Sequence, residues 1–472
     1  MSELKTDWDV AIIGTGPAGM FAALELVKLN PRLRICMFEK GPLREFGDRQ
    51  NKTCGWGGAG AFSDGKLDLT GDIGGNMLQL MRDAGKENEF AELMRYIEET
   101  YVSYCASEET HVETAPDAQK VEELMRLCHQ NGMKLIPFPV RHLGTDRAYG
   151  IVMGMKRVLE AAGVAILTDH EVRIINPNNW GSFNLLVKHG EKETLTVAKK
   201  VVAATGREGD EWLWKEAVRL KLPVKRNRVD IGVRVEVRAE IMKHLTDVLH
   251  EPKIIYHTPC HNDRVRTFCV CPNGKVVKEH YRNLNVYTVN GESNSKSGFQ
   301  TPNTNFALLV SQAFTAPFND PTTYAASIAR TTNMLAGGNG VLVQRLADIK
   351  HHRRTDKTRL FQSVTDGFII PTLTEAIPGD LSLAIPGRHW CCIMATLEAL
   401  DKIAPGVAGP HTLLYGAEVK FYSNQIEAPY PFETALAGLY VAGDGSGNTR
   451  GLLQSSMQGV IVARDIAQKL SE

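Results

Sequence analysis

The sequence predicts an α/β protein in which a doubly wound parallel sheet is joined to a second, α+β domain. A chain of 472 residues is long for a single core, since one domain takes roughly 150 residues. Residues 9–13 have the apolar, β-branched character of a buried parallel strand, and residues 21–29 carry apolar side chains at helical spacing. Strand, glycine turn and helix follow one another again at 438–470, as expected of a doubly wound sheet.

The composition limits the class of protein. Hydrophobic residues make up 43% of the chain and charged residues 23%, which are ordinary globular values. Lys plus Arg and Asp plus Glu number 54 each, so we expect no nucleic-acid partner. The N-terminus lacks the pattern of a secretion signal, and no apolar stretch approaches the ~18 residues of a membrane span. We therefore expect a soluble, cytoplasmic protein whose nine cysteines are free thiols.

The first glycine turn has the spacing of a dinucleotide site. Gly14 permits a tight turn, Gly16 lets a diphosphate approach the backbone, and Gly19 lets helix and strand pack closely. Pro17 suits the first position of a helix, whose free N–H groups would face the phosphates. A second strand over 33–38 ends at Glu39, whose carboxylate could accept both hydroxyls of an adenosine ribose. The interpretation is an adenine dinucleotide site.

The positions of the other glycine turns favour FAD over NAD. A nicotinamide dehydrogenase normally completes its nucleotide domain in one continuous block, whereas the related pieces here lie far apart in the chain. They occupy residues 53–67, 163–176, 199–209 and 438–470. In the first of these segments, Gly55, Gly57, Gly58 and Gly60 leave the backbone bare enough to run alongside a phosphate or a flat ring.

These pieces resemble the two-dinucleotide-fold flavoproteins related to glutathione reductase. In that superfamily FAD lies extended, with its adenosine end on the N-terminal motif and its ribitol at an acidic residue in a C-terminal Gly-Asp. The resemblance assigns cofactor contacts to Gly14, Gly16, Gly19, Glu39, Gly57, Gly58, Val172, Thr205, Gly206, Gly443 and Asp444. Neighbours in the same turns complete the predicted cofactor set: Pro17, Ala18, Lys40, Ala59, Ser63, Asp64 and Leu452.

Within the superfamily, several segments of the sequence are similar to those of an uncharacterised family of FAD-dependent dehydrogenases. The phrases that carry this likeness span most of the chain: "GWGGAGAFSDGKL", "RHLGTD", "DIGVRVEV", "RTFCVCPNGKVV", "VNGESNS", "VQRLAD", "LLYGAEVKFYS" and "VAGDGSGNTRG". The resemblance implies a cofactor and a fold but no particular reaction. One departure is the polar stretch "GLLQSSMQGV", where small apolar residues are expected beside the flavin.

The predicted domains follow from the cofactor motifs. Residues 1–70, 160–210 and 430–472 form a discontinuous, Rossmann-like FAD-binding domain, and 71–159 form a mainly helical insertion. Residues 211–429 form the substrate or cap domain, since ligands of such sheets sit at the carboxyl ends of the strands.

Three side chains are candidates for catalysis. Arg141 and His142 could bind a carboxylate and shuttle a proton beside the flavin, while Asp146 follows in the same segment. The alternative is that these side chains only stabilise their loop through hydrogen bonds. Arg450 could meet an acidic substrate or clamp the pyrophosphate.

The sequence predicts an FAD-dependent oxidoreductase that transfers a hydride between flavin N5 and a small or medium organic substrate. Two alternatives stay open: a flavin monooxygenase, and a flavoprotein acting on RNA. The only other GxGxxG spacing, at Gly55–Gly60, lies in the glycine-rich loop already assigned to the flavin cofactor, so no separate NAD(P)H motif is found and electrons would come from transiently docked NAD(P)H, from the substrate or from a redox partner protein. The pairs Cys269/Cys271 and Cys391/Cys392 have the wrong spacing for a redox or zinc motif, so no metal site is expected.

Overall fold

The computed structural model describes residues 7–43, 54–62, 65–105, 117–143, 145–281, 284–292, 300–365 and 368–472, with backbone alone at 142, 145, 146 and 363–365. The strands are β1 Trp8–Ile13, β2 Ile35–Phe38, β3 Lys66–Asp68, β4 Met133–Ile136, β5 Val140–His142, β6 Ala165–Leu167, β7 Glu171–Pro177, β8 Phe183–His189, β9 Lys192–Ala203, β10 Val224–Lys225, β11 Val229–Arg238, β12 Lys253–His257, β13 Arg264–Cys271, β14 Lys275–Tyr281, β15 Val286–Glu292, β16 Asn303–Gln312, β17 Leu342–Arg345, β18 Ile377–Pro378, β19 Leu413–Lys420, β20 Gln425–Ile426 and β21 Leu439–Val441. The helices are α1 Pro17–Leu29, α2 Met77–Asp83, α3 Glu87–Ser103, α4 Ala118–Gln130, α5 Thr145–Ala161, α6 Asp210–Arg219, α7 Ala239–Thr246, α8 Pro321–Leu335, α9 Leu346–Lys350, α10 Lys357–Thr365, α11 Gly387–Asp401 and α12 Leu452–Ser471.

The chain divides into two compact units. Unit 1 comprises 1–114, 138–227 and 423–472, and unit 2 comprises 115–137 and 228–422. The expected helical insertion, 71–159, is therefore split, because α4 and β4 belong to unit 2 while the helices on either side belong to unit 1. The physical reason is that β4 pairs with β12 and so extends the sheet of unit 2.

Unit 1 is built on a seven-stranded sheet with the order β6-β2-β1-β9-β8-β7, in which β21 also pairs with β9. Strands β6, β2, β1, β9 and β21 run parallel, whereas β7 and β8 form an antiparallel extension. The apolar runs of β1 and β2 are buried, as expected for strands covered on both faces. The predicted α/β class with a doubly wound sheet is confirmed.

Helices α1 and α12 cross at backbone contact. A Cβ atom at Gly459 of α12 would overlap the carbonyl oxygen of Ala18 on α1 and would come within 3.1 Å of the Ala22 nitrogen. Both helices bury their small and apolar side chains against the sheet and against each other. The N-terminal ends of these two helices therefore lie on the same side of the sheet.

Unit 2 contains an eight-stranded sheet with the order β18-β17-β19-β11-β16-β13-β12-β4. Its pairings are antiparallel except for β17 with β18. Strands β14 and β15 form a separate hairpin. The predicted α+β character of the second domain is confirmed, and the strand predicted from "DIGVRVEV" is β11.

The two faces of β11 differ in chemistry. Every second residue from Val229 to Val237 enters the apolar core of unit 2, in the period of two that strands impose. The alternate positions are Gly232 and three polar residues that are still buried, Asp230, Arg234 and Glu236. Arg234, which is fully buried, lies 3.4 Å from the Glu418 carboxylate and donates to Asn305 Oδ1 at 2.8 Å. Because both side chains are fully buried, removal of either one would leave the charge of the other uncompensated.

The glycine in the motif "VNGESNS" is explained by this buried charge. A Cβ at Gly291 would overlap the Arg234 guanidinium and the Asn305 side-chain oxygen. The rest of that motif, from residue 293 onward, lies outside the described residues.

None of the helices in the described part of the chain is both long and apolar enough to cross a membrane.

We expect Glu418→Gln to lower the free energy of unfolding by about 3–5 kcal/mol, because it leaves the positive charges of Arg234 and Lys420 buried without their partner. Chemical denaturation followed by circular dichroism measures the change. The control is Asp247→Asn, which breaks an exposed ion pair with Lys243 and should cost less than about 1 kcal/mol. Equal effects of the two substitutions would contradict the prediction.

Candidate functional site

The carboxyl ends of the parallel strands in unit 1 bring three separate turns together. Strands β1, β9 and β21 end in register at Ile13, Ala203 and Val441. A Cβ at Gly14, just beyond β1, would overlap the Ala204 carbonyl oxygen. The turn after β21 also contacts the turn after β9, because a Cβ at Gly445 would come within 2.7 Å of the Gly206 oxygen.

The structure constrains the three glycines of the first turn differently. Gly14 has a φ of 104°, and a Cβ on Gly19 would overlap the Gly14 carbonyl oxygen, so packing within the chain accounts for both. Gly16 has φ −71° and ψ −175°, which any residue adopts, and a Cβ there would meet no atom of the described residues within 4 Å. Neither the backbone nor the packing therefore requires glycine at position 16.

Two uncapped helix N-termini flank the second glycine turn. Among the described residues, no side chain caps α1 or α12, and neither helix has an acidic residue in its first turn. A Cβ at Gly60 would lie 3.0 Å from Pro17 Cγ and 3.2 Å from Leu452 Cδ2, the first residues of these helices. Unpaired N–H groups and the positive ends of two helix dipoles are thus available beside one loop, an arrangement suited to an anion.

The predicted pair Gly57–Gly58 lies against the first turn. The N–H of Gly57 donates to the Thr15 carbonyl oxygen at 3.1 Å, and a Cβ at Gly58 would approach Gly16 Cα to 3.3 Å. Both glycines have positive φ angles, 81° and 51°. Ala59 is exposed in the 3₁₀ turn that follows, whereas Ser63 and Asp64 lie outside the described residues.

Glu39 joins the loops at this edge of the sheet. Its Oε2 accepts from the hydroxyl and the N–H of Thr15 at 2.9 and 3.3 Å, and its Oε1 accepts from the N–H groups of Gly41 and Gly55, each at 2.9 Å. These four bonds use the lone-pair positions of a carboxylate. The sequence predicted a carboxylate open to a ribose; the structure shows one that already organises three backbone segments.

Two other predicted contacts lie at the same edge. The segment leading to Val172 approaches Glu39, since the N–H of His170 donates to the Glu39 carbonyl oxygen at 2.9 Å, and Val172 itself is buried on β7. Lys40 is exposed and pairs with the Glu208 carboxylate at 3.8 Å.

The turn after β9 presents a polar atom with no partner. The Thr205 hydroxyl is buried and has no hydrogen bond within the described structure. Gly206 has a φ of 60°, in the region that favours glycine, and a Cβ there would meet no atom of the described residues within 4 Å, so open space lies beside this turn. Gly443 also has a positive φ, and its Cβ position lies 2.9 Å from Ala18 Cβ.

Asp444 is held by hydroxyl groups and one arginine. Its Oδ1 accepts from Ser455 Oγ at 2.8 Å and from Thr449 Oγ1 at 3.2 Å, and its Oδ2 lies 3.7 Å from Arg207 Nε. Burial raises the pKa of Asp444 above its ordinary value, although the charges of Arg207 and Arg450 and both hydroxyls favour the carboxylate. About 20% of this side chain remains exposed, so it is accessible to a ligand.

The polar stretch of α12 has structural partners. Gln454 donates to the Ile73 carbonyl oxygen at 2.6 Å, and the Ser456 hydroxyl lies 3.0 Å from the Tyr101 hydroxyl. Gln458 Oε1 accepts from the Gly443 N–H at 2.9 Å. These bonds explain why small apolar residues are replaced here: the helix anchors the turn after β21 and the loop that precedes α2.

The sequence analysis missed several residues of this site. Gly74 and Gly75, with φ angles of 93° and 124°, pack against the backbone of 448–450, where a side chain on either would clash. The side-chain amides of Asn448 and Gln458 are buried, and their nitrogens have no hydrogen-bond partner among the described residues. The double glycine in "GDIGGNM" was a usable signal, but nothing in the sequence placed that loop beside residues 448–450.

The structure gives contacts for two of the catalytic candidates, Arg141 and Arg450, and only the backbone pairing of the third, His142. Arg141 on β5 is half-buried and donates to Glu98 Oε1 of α3 at 2.6 Å, which is the loop-holding interaction considered as the alternative. The backbone of His142 pairs with Lys66, but its side chain and that of Asp146 lie outside the described atoms. Arg450 lies six positions after Asp444, and its N–H donates to the Gly74 carbonyl oxygen. Their catalytic roles therefore stay predictions.

Asp210 is a further titratable group next to the site. It begins α6, four residues after Gly206, and burial raises its pKa to about 6. This carboxyl group therefore changes charge closer to neutral pH than an ordinary aspartate does.

Comparison with known proteins supports the cofactor prediction. Residues 229–420 match the family model described as "FAD-dependent protein, C-terminal domain-like". An uncharacterized protein from Clostridium beijerinckii is 23% identical over 491 residues, which cover 97% of this chain and 80% of that protein. The matched region falls in unit 2, and it supports FAD as the cofactor and an FAD-dependent oxidoreductase as the class of protein.

Solved structures of flavoproteins resemble the chain weakly. Pyridoxine 4-oxidase from Mesorbium loti matches with a TM-score of 0.47 and 12% identity over 98% of this chain and 99% of its own. A 3-ketosteroid dehydrogenase from Rhodococcus jostii RHA1 matches with a TM-score of 0.45 and 13% identity over 99% and 98% of the two chains. Glycine oxidase from Geobacillus kaustophilus matches with a TM-score of 0.37 and 16% identity over 98% and 95%. Because these TM-scores are below 0.5, they carry no argument about the reaction.

We expect Asp210→Asn to stabilise the cofactor-free protein near pH 7.5 but not near pH 3.5. A carboxyl whose pKa is raised on folding to about 6 stabilises the protein while it is protonated, and this contribution is lost as the pH rises from about 4 to above 6. The gain at pH 7.5 should approach about 3 kcal/mol, since each unit of pKa shift corresponds to about 1.4 kcal/mol.

Chemical denaturation at a series of pH values measures this difference. The control is the neighbouring Glu211→Gln, which removes an exposed ion pair with Lys215 and should change the stability by less than about 1 kcal/mol. A gain for Asp210→Asn that is the same at both pH values would be inconsistent with titration of this group.

Proposed function

We propose that this protein is an FAD-dependent oxidoreductase that transfers a hydride between flavin N5 and a small or medium organic substrate. We also propose that it is related to the FAD-dependent dehydrogenases within the glutathione-reductase-like flavoproteins, with the cofactor held by unit 1 and substrate selection assigned to unit 2. The match of residues 229–420 to an FAD-dependent protein family supports the cofactor. The observation that carries the site is Gly16, which neither backbone conformation nor packing explains.

A dinucleotide accounts for the glycine at position 16. A diphosphate above Gly16 would use the unpaired N–H groups at the start of α1 and would be excluded by a Cβ at this position. The open space at Gly206 and the unpartnered Thr205 hydroxyl fit the continuation of the same extended ligand.

The polar groups near Asp444, at the ribitol end of the proposed FAD, suit a polyhydroxylated chain. The Asp444 carboxylate can accept hydrogen bonds from ribitol hydroxyls, and its exposed fraction leaves it accessible. The nearby amide nitrogens of Asn448 and Gln458 are buried donors without partners. Buried donors left unpaired are costly, so oxygen atoms of a ligand would satisfy them.

For Glu39 we propose a combined role. A ribose hydroxyl would most readily replace the N–H of Thr15, whose bond to Glu39 Oε2 is the longest of the four at 3.3 Å. The remaining bonds would keep the carboxylate in place.

When bound, the flavin supplies hydride transfer, and the chain supplies binding and charge. In keeping with the sequence analysis, we propose Arg141 and His142 as the substrate-side groups, and Arg450 as a group that meets an acidic substrate or clamps the pyrophosphate. Because Arg141 is paired with Glu98, it would meet an anionic substrate only by sharing or exchanging that partner. Arg450, whose charge already acts on Asp444, is the better candidate for clamping the pyrophosphate.

We expect Gly16→Ala to weaken FAD binding by at least tenfold, or about 1.4 kcal/mol, while changing the unfolding free energy of the cofactor-free protein by less than about 1 kcal/mol. The reason is that the added Cβ meets no protein atom but occupies the space proposed for the diphosphate. Titration of the cofactor-free protein with FAD, followed by quenching of flavin fluorescence, measures the affinity.

The matched control is Gly387→Ala at the start of α11, where an added Cβ also meets no atom within 4 Å. This variant should bind FAD as the wild type does. If Gly16→Ala also binds FAD normally, the proposed position of the diphosphate is wrong.

We expect the purified protein, once denatured, to release FAD that is identified by its absorbance and mass. Stopped-flow mixing of the oxidised protein with NAD(P)H and with candidate organic substrates then identifies the electron donor by loss of flavin absorbance. Bleaching by an organic compound alone indicates a dehydrogenase or oxidase, and bleaching by NAD(P)H alone indicates a reductase. NADPH-driven oxygen consumption would instead favour a monooxygenase, and absence of any flavin would overturn the proposal.

A further inference from the structure

A cluster of cysteine and histidine side chains lies on unit 2, apart from the glycine turns of unit 1. Cys260 and His261 occupy the turn between β12 and β13, and Cys391 lies in the first turns of α11. One ligand atom from each of these three side chains lies within 4.8 Å of the other two. All three are exposed, so solvent ions reach them.

Side-chain contacts hold the β12–β13 turn and the start of α11 together. Arg388 of α11 donates two hydrogen bonds, of 2.6 and 2.7 Å, to the carboxylate of Asp263, which lies two residues after His261. The buried Cys392 accepts from the Thr258 hydroxyl at 3.4 Å. Cys260 and Cys391 are therefore presented by two anchored pieces of backbone.

A fourth sulfur lies at the edge of the cluster. The Sγ atoms of Cys392 and Cys260 are 4.0 Å apart. Cys392 also lies 3.6 Å from a carboxylate oxygen of Asp263, so this thiol has polar neighbours on both sides.

We propose that Cys260, His261 and Cys391 bind a Zn²⁺ ion, with a water molecule as the fourth ligand. In a tetrahedral site with Zn–S and Zn–N distances near 2.3 and 2.0 Å, ligand atoms lie about 3.5–3.8 Å apart. Rotation of three exposed side chains closes the difference from the observed separations without moving the backbone. Each cysteine loses its proton to solvent as its sulfur binds the metal, while His261 binds as neutral imidazole.

The donor set selects the metal. Two thiolates and one imidazole favour Zn²⁺, whereas Ca²⁺ and Mg²⁺ prefer oxygen ligands. No metal site was expected from the sequence because only cysteines close together in the chain were compared. Here Cys391 lies about 130 residues after Cys260 and His261. Folding of unit 2 brings them together, since the β12–β13 turn and α11 are joined by the Arg388–Asp263 ion pair.

The test uses the full-length protein, treated with a chelator and then kept reduced and free of oxygen. Titration with Co²⁺ should give one equivalent of binding, with thiolate-to-cobalt absorption and d–d bands at longer wavelengths than flavin absorbs. Zn²⁺ should displace the cobalt with the same stoichiometry. Competition with a chromophoric chelator then measures the zinc affinity.

We expect Cys391→Ser and His261→Ala each to weaken zinc binding by more than about 100-fold, since even the loss of a partner outside the first coordination shell costs about 10–100-fold. The matched controls are Cys105→Ser, a half-buried thiol of unit 1, and His351→Ala, an exposed histidine on another turn. Both control variants should bind zinc as the wild type does. Because the ligands are exposed, all these variants should fold, which circular dichroism verifies.

Three results would overturn the proposal. The first is the absence of stoichiometric cobalt or zinc binding by the reduced protein. The second is zinc affinity that is unchanged in Cys391→Ser. The third is a Cys260–Cys391 disulfide, detected by peptide mass mapping, in protein that retains no metal when reduced.

Discussion

The backbone contacts around Gly14 set the geometry of unit 1. A side chain at Gly14 would overlap the Ala204 carbonyl oxygen, and one at Gly19 would overlap the carbonyl oxygen of Gly14 itself. Strands β1 and β9 and the start of α1 are consequently held at backbone contact distance. Because these two glycines are used for packing, the neighbouring Gly16 is left facing open space, with uncapped N–H groups beside it. The candidate site depends on this division of roles within six residues.

Both units contain buried polar groups, but the surroundings of these groups differ. In unit 2, Arg234 and Glu418 have no exposure and pair with one another, and Arg234 also donates to Asn305, although the amide nitrogen of Asn305 has no partner among the described residues. In unit 1, the buried Thr205 hydroxyl has no partner among the described residues and lies beside the open space at Gly206, and Asp444 is bonded to hydroxyl groups while part of it stays accessible. For these groups of unit 1, a bound ligand would supply the physical explanation that unsatisfied buried groups call for.

Much of the fold could be predicted because it follows local rules. The turn at Gly14 has the expected glycine spacing, helices α3 and α4 lie within the segment expected to be mainly helical, and β11 has the period of two of a strand. Long-range strand pairing was not predicted, because no feature of the local sequence indicates that β4 joins the sheet of unit 2. The same limit explains the unpredicted loop at 74–75 and the approach of Cys391 to Cys260, because each depends on segments that are distant in the chain. The pairing of Arg141 with Glu98 likewise depends on where α3 lies, which the sequence does not reveal.

The order of the segments along the chain has a consequence for biosynthesis. Strand β4 is made roughly 120 residues before its partner β12, so at about 5–20 residues per second it waits for roughly 6–24 seconds on the ribosome. The turn at Asp444 follows even later, after all of unit 2 has been translated. A nascent chain therefore carries the Gly14 turn long before Asp444 exists, and an incomplete sheet edge is open to non-native pairing during that interval.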